Sequence, residues 1–401
     1  MKRCKLFPKE YASFRPEIVN YFASQILPGS KIIFDPMAGT SPLIPYVEHL
    51  GLKAYFNDLL PIYFYLNRAK TYTVFKKIKF IQNKDSKFLE NELLKCLSKL
   101  RNKKLLMSEN WIHENILAGL VEAWQQSNRY EKIISWFFKA VILLCIRPYS
   151  SISPSKKNAT WNKPGGMSTG ETTREIVKER IEKFLSYYKN YYEDFKNVRG
   201  GECIFMSEDA SVLLLPEKPD VILTSPAYAN RYDYVTMYAP ELFFLSKADH
   251  QTDLKILKKN ILASNTVEDY SNLQEDLRNI SLRSPMTYAF LMEVEDKGMA
   301  RENKYYLRYY SKYYSGLFRI LDNVLQLLRK NGRLYIVVQN NIHRGEVNYM
   351  GGFLKDYFLN YGLKVETVFN QLKPHQGRRN ISANYPLVLK KHIESIIEVS
   401  K

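Results

Sequence analysis

Cysteine is scarce in this chain of 401 residues. Its four copies, Cys4, Cys96, Cys145 and Cys203, are scattered and show no paired spacing. That pattern fits the reduced thiols of a cytoplasmic protein and does not fit a zinc cluster. Long apolar runs are missing as well. The best of them, Ile133 to Ile146, is too short to span a bilayer and is broken by Lys139, so it reads as a buried helix. The start, Met1-Lys2-Arg3-Cys4-Lys5, is basic with no apolar stretch behind it, which argues against a signal peptide. No internal repeat or low-complexity tract is visible. Acidic residues are outnumbered: 41 Asp and Glu stand against 59 Lys and Arg, a formal net charge of +18. Such a balance is the electrostatic footprint of a polyanion binder, although lysine-rich coding bias or association with an acidic membrane surface would also produce it. The chain is longer than one ordinary domain and implies two units, or one domain with large insertions.

Against that background two short stretches stand out. The apolar run Asp220-Val221-Ile222-Leu223 is closed at once by Thr224-Ser225-Pro226-Ala227-Tyr228. This puts a stiff polar turn at the carboxyl end of a buried strand, where open α/β sheets bind their ligands. Proline cannot extend the strand, and the tyrosine supplies a flat face for a planar ring. An ordinary strand-to-loop Ser-Pro turn accounts for the same residues taken alone. Far upstream, Lys31-Ile32-Ile33-Phe34 ends in Asp35-Pro36-Met37-Ala38-Gly39-Thr40-Ser41. A helix-like segment, Pro42 to Leu50, a stop at Gly51 and a strand-like Lys53-Ala54-Tyr55-Phe56 follow, running into Asn57-Asp58. Strand, small-residue turn, helix, strand and an acid about twenty residues after the turn form the logic of a nucleotide-type cofactor site. With one glycine the turn fails as a dinucleotide fingerprint, and Asp58 could equally cap the next helix, Leu59 to Lys70.

Together the two stretches resemble the AdoMet-dependent amino-methyltransferases that act on nucleic-acid bases. Asp35-Pro36-Met37-Ala38-Gly39 is similar to their cofactor motif, Asp-Pro-Phe-x-Gly-x-Gly. Ser225-Pro226-Ala227-Tyr228 is similar to their catalytic Ser/Asp/Asn-Pro-Pro-Tyr motif. Phe14-Arg15-Pro16-Glu17 resembles the segment over the methionine end of AdoMet. Glu208-Asp209-Ala210, after the strand-like Glu202 to Met206, resembles the acidic turn that accepts from the adenine amino group. Two positions depart from the pattern: Ser41 stands where the family usually has its last glycine, and Ala227 replaces the second proline.

The resemblance implies an α/β fold, a Rossmann-like seven-stranded class I methyltransferase sheet with large helical insertions. It implies S-adenosyl-L-methionine as cofactor, held by Phe14, Arg15, Asp35 through Ser41 (Asp35, Pro36, Met37, Ala38, Gly39, Thr40, Ser41), Asp58, Asp209 and Ala210. Ser225, Pro226 and Tyr228 would be catalytic, with no metal. An exocyclic amine is a poor nucleophile because its lone pair is delocalised, so the enzyme's task is positioning and electrostatics. In the family picture the Ser225 side chain and Pro226 carbonyl accept from the amino group while Tyr228 stacks on a base extruded from the duplex. Serine at the first motif position is more usual for cytosine N4 than for adenine N6. The expected partner is double-stranded DNA, with a cognate restriction endonuclease in a restriction-modification or defence setting. Adenine N6, an RNA base, or AdoMet and DNA binding without turnover remain open as alternatives.

The expected catalytic domain comprises 1–75, 199–247 and 306–401. A helical insertion at 76–198, for target recognition, and a second at 248–305 interrupt it. Within the first, a loop with Lys156 and Lys157 suits DNA contact or a lid, as it does an idle surface loop. Arg231, in the polar-aromatic run after the catalytic motif, belongs with the base pocket. The basic turn with Arg378 and Arg379 suits phosphate, or simply solvent. The tyrosine-rich helix Tyr305 to Lys330 offers either a stacking surface or core residues. Strand centres at Ile32, Ala54, Ile204, Ile222, Ile336, Val365 and Leu387 give seven strands, the last being Tyr385 to Leu389.

Overall fold

A computed structural model describes residues 14–100, 112–150, 173–193, 198–229, 233–249, 252–262, 272–296, 300–343, 346–374 and 391–400. Nine strands occur among them: β1 (Ile32–Asp35), β2 (Lys53–Asn57), β3 (Glu202–Met206), β4 (Val221–Thr224), β5 (Arg333–Gln339), β6 (Asn341–His343), β7 (Glu346–Asn348), β8 (Lys364–Pro374) and β9 (Lys391–Ser400). β6 and β7 form a separate small hairpin. The other seven form one mostly parallel sheet in the order β3-β2-β1-β4-β5-β9-β8. Counted in chain order, that is 3-2-1-4-5-7-6. It departs from the 3-2-1-4-5-6 of the doubly wound dinucleotide fold because the last strand inserts, antiparallel, between its two predecessors.

The central parallel strands are near-continuous apolar runs because both faces are covered. All four residues of β4 are buried, as are five in succession in β5. The last strand of the sheet is one that the sequence expectation did not name. It is Lys391–Ser400, which pairs with β5 from Arg333↔Ser400 to Gln339↔Glu394 and with β8 on its other side. The expected Tyr385 to Leu389 lies outside the described residues. The carboxylates of Glu394 and Glu398 give the segment a surface-like pattern, yet Ile396 and Ile397 are both buried, and Glu398 pairs with Arg333 of β5 at 3.5 Å.

The chain divides into two compact units. One comprises Met1–Ser30, Ala38–Ser207 and Tyr234–Lys258; the other comprises Lys31–Met37, Glu208–Asp233 and Lys259–Lys401. The first unit is mainly helical. Its helix Lys132–Cys145 is buried without a break from Ala140 to Cys145, as its apolar sequence requires. Among the described residues no helix is long and apolar enough to cross a membrane. Just beyond that helix, Arg147 Nε donates to Glu241 Oε1 at 2.5 Å and its Nη2 donates to the Met237 carbonyl. Glu241 is wholly buried at the start of helix Ala239–Ala248.

In the second unit the 28-residue helix Ala300–Leu327 buries Tyr306, Tyr309, Tyr310, Tyr313 and Tyr314. Those tyrosines belong to the core and do not form a stacking surface. Between residues 248 and 305 the described segments are helical, Leu254–Asn260, Leu273–Arg283 and Pro285–Asp296 among them.

Candidate functional site

In the second unit, Asp220 sets the geometry from which the site is built. Its carboxylate accepts from the Lys31 and Ile32 amides at 2.9 and 2.5 Å, and its own amide donates to the Ile32 carbonyl at 3.0 Å. Its carbonyl accepts from the Arg333 amide at 3.0 Å. One residue therefore aligns the starts of β1, β4 and β5. The resulting register is parallel, with Ile33 opposite Val221 and Phe34 opposite Ile222. Asp35 follows Phe34 directly, and Ser225 is three residues beyond Ile222. The two motifs thus leave the carboxyl ends of neighbouring parallel strands, the position at which open α/β sheets bind ligands.

Asp35 is buried, and its Oδ1 accepts from the Met37 amide at 3.2 Å, closing a turn on the motif itself. After β4, Pro226 is buried while Ser225, Ala227 and Tyr228 are half-buried. The Ser225 hydroxyl donates to the Tyr228 hydroxyl at 3.2 Å, and the Tyr313 hydroxyl donates to the Ala227 carbonyl at 2.6 Å. After β3, Asp209 Oδ1 accepts from the Ser211 amide and hydroxyl at 2.9 and 2.7 Å. The turn is held from behind by Asn323, whose Nδ2 donates to the carbonyls of Ala210 (3.0 Å) and Leu213 (2.8 Å).

The remainder of the cofactor-type motif belongs to the first unit. The Ala38 amide donates to the Asn57 carbonyl at 2.8 Å, and the Gly39 amide donates to Asp58 Oδ2 at 2.9 Å. Asp58 Oδ1 accepts from the Leu60 amide at 2.9 Å, just ahead of helix Pro61–Ala69. Asp58 does not cap that helix, whose N-cap is Leu60 with no side-chain bond; its carboxylate closes the turn just before it and ties the end of β2 to the glycine turn. Burial pushes its carboxyl up to about 6, against the opposing pull of those two amides. Asn67 and Lys70, at the other end of the same helix, hold the turn's carbonyls. Asn67 Nδ2 donates to Gly39 O at 2.8 Å and Lys70 Nζ to Thr40 O at 2.5 Å, both side chains being buried. Sequence reading missed this pair. Its only signal is two polar residues three apart on a segment that otherwise buries Ile62, Tyr63, Tyr65 and Leu66.

Gly39 and Ser41 both have positive φ, +52° and +33°. Serine has therefore been placed in a backbone conformation that favours glycine, and its buried Oγ has no hydrogen-bond partner. Ser41→Gly is expected to stabilise the fold by about 1 kcal/mol in urea unfolding, by relieving the left-handed strain. A loss of stability would mean that the hydroxyl is needed where it sits.

Phe14 is buried edge-on against Phe22, with centroids 5.3 Å apart, and Arg15 is the extended residue that opens helix Pro16–Tyr21. Lys156, Lys157, Arg231, Arg378 and Arg379 lie outside the described residues. Among the described residues no cluster of His, Cys, Asp and Glu is arranged to hold a metal ion.

Fold and site together define a mixed α/β protein whose seven-stranded, mostly parallel sheet is compatible with a Rossmann-like build, with polar turns at the carboxyl ends of its strands. No protein-family model matches the chain, and no curated protein matches it.

Proposed function

We propose that this protein transfers a methyl group from S-adenosyl-L-methionine to the exocyclic amine of a base in double-stranded DNA, with cytosine N4 as the acceptor. The observation that carries this reading is the departure of the Asp35 and Ser225 motifs from adjacent parallel strands at the same end. The strand order, with its final antiparallel insertion, supports a class I methyltransferase sheet. The Ser225 hydroxyl supports the chemistry: its hydrogen is directed to Tyr228, which leaves its lone pairs to accept from an amine. With the Pro226 carbonyl as a second acceptor, the amino nitrogen is drawn toward a tetrahedral geometry with its lone pair free. AdoMet, when bound, supplies the electrophilic methyl. Of the residues that the resemblance implies for it, Asp35 to Met37, Asp209 and Ala210 belong to the second unit, and Ala38 to Ser41 and Asp58 to the first. The net charge of +18 favours a polyanionic substrate. A restriction-modification or defence role, with a partner nuclease, fits a DNA-modifying enzyme.

Incubation with labelled AdoMet and mixed genomic DNA, digestion to nucleosides and mass spectrometry test the reading. N4-methylcytosine is expected. N6-methyladenine would reassign the base, and transfer to RNA alone would reassign the polymer. No transfer to any nucleic acid would overturn the proposal.

A pH dependence follows from Asp58. Its folded value lies above the ordinary 3.8, so the ionised form is disfavoured by the fold above about pH 6, and that cost vanishes as the pH falls toward 4. Ribose hydroxyls donate to the ionised form. AdoMet affinity is therefore expected to be flat above pH 6 and to fall below it, approaching about tenfold per pH unit. In Asp58→Ala the affinity should be lower and the pH dependence lost. Calorimetric titration across pH 5 to 8 checks both; an unchanged profile in the variant would remove Asp58 from the cofactor site.

A further inference from the structure

The residues between Ser225 and Tyr228 leave the sheet as an irregular turn, across which the Ser225 hydroxyl donates to the Tyr228 hydroxyl at 3.2 Å. Proline fixes φ at position 226 only. Ala227 has no such restraint of its own, and its side chain is too small to wedge the turn in place. What holds it comes from elsewhere in the second unit. The phenolic hydroxyl of Tyr313 donates its single hydrogen to the Ala227 carbonyl at 2.6 Å, and lies 3.7 Å from the sulfur of Met350. Tyr313 is almost wholly buried and belongs to helix Ala300–Leu327, where Tyr309, Tyr310, Tyr314 and Leu317 are buried around it. A hydroxyl carried by a packed 28-residue helix is a fixed point, whereas the same bond from a loop would move with it.

We infer that Tyr313 is the positioning residue of the 225–228 turn: it holds the Ala227 carbonyl so that Ser225 and Tyr228 keep the mutual geometry used for the amine. The chemical role rests on the proposed methyl transfer; the mechanical role rests on the hydrogen bond alone. Its bonds to the Ala227 carbonyl and the Met350 sulfur involve no group assigned to the chemistry. Its loss should alter the rate at which a bound base reacts and leave the cofactor half untouched.

Tyr313→Phe removes the hydroxyl and keeps the ring. Tyr314→Phe, its neighbour, removes a comparable buried hydroxyl that donates to Asn348 Oδ1 and not to the Ala227 carbonyl. Hydrogen–deuterium exchange on the full chain is read in peptides covering Thr224 to Ala229, and single-turnover methylation is measured in parallel. Tyr313→Phe should raise exchange in those peptides about tenfold, the scale of one buried hydrogen bond, and Tyr314→Phe should not. The transfer rate should fall about tenfold in Tyr313→Phe with the KM for AdoMet unchanged. Equal exchange in the turn for wild type and Tyr313→Phe overturns the inference, as does a wild-type transfer rate in that variant. Absence of methyl transfer by the wild type would overturn the proposed function, and the exchange comparison would still decide whether Tyr313 holds the turn.

Discussion

Ser225→Ala is expected to lower the rate of methyl transfer by about 10² to 10³, the cost of removing one preorganised polar group that acts on the charge developing at the reacting atom. AdoMet affinity should stay within about twofold of wild type, because the serine hydroxyl is bonded to Tyr228 on its own turn after β4. The size of the effect has a geometric origin. The hydroxyl's hydrogen is committed to Tyr228 at 3.2 Å, so the oxygen presents lone pairs to an incoming amine. Alanine removes that acceptor and the bond to the tyrosine hydroxyl, while the Pro226 carbonyl remains. Single-turnover kinetics with saturating AdoMet, beside a calorimetric binding constant, separates the two quantities. A wild-type rate in Ser225→Ala would show that the turn contacts the base by its backbone alone. A parallel collapse of AdoMet binding would show that the turn belongs to the cofactor pocket instead.

The largest expected effect on stability is at Arg147. Its guanidinium is bonded to Glu241 at 2.5 Å and to the Met237 carbonyl, and lies 5.6 Å from the Tyr238 ring centroid. Glu241 is wholly buried, so Arg147→Met strands a carboxylate away from water. That should cost about 3 to 5 kcal/mol, the penalty of an uncompensated buried charge and not the net worth of the pair. The double change Arg147→Met with Glu241→Leu removes both charges and fills the space with apolar atoms, and most of the loss should return. Urea unfolding of wild type, single and double variants forms the cycle. Two single-variant losses that simply add in the double would show that the residues act independently of each other.

The parallel strands were legible because a strand covered on both faces must be apolar throughout and must stop where Asp, Pro or Gly appears. Ile32–Asp35, Lys53–Asn57, Val221–Thr224 and Arg333–Gln339 each begin or end within a residue or two of the apolar run that announced them. Lys391–Ser400 was not legible, because Glu394 and Glu398, four residues apart, are compatible with a surface segment until β5 and β8 are placed on either side. Asp58 was read as either cap or cofactor acceptor. The structure gives the helix Leu60 as its N-cap, with no side-chain cap, and shows Asp58 instead accepting from the Gly39 and Leu60 amides, its carboxyl displaced toward neutrality by burial. Asn67 and Lys70 carry no motif at all; they matter only because their helix places them against the carbonyls of Gly39 and Thr40.

What the amino-acid sequence determined by itself is local: where strands and helices begin and stop, which turns carry small residues, an acid or a Ser-Pro-x-Tyr, and an excess of positive charge. These depend on neighbours along the chain, through backbone preference and the periodicity of burial. The tertiary structure alone decided that the Asp35 and Ser225 turns leave adjacent strands, that Asp220 sets the register which brings them there, and that Tyr313, 86 residues from Ala227, holds its carbonyl. Such contacts are made when strands pair and helices pack on them, and no residue type signals in advance which distant carbonyl it will meet.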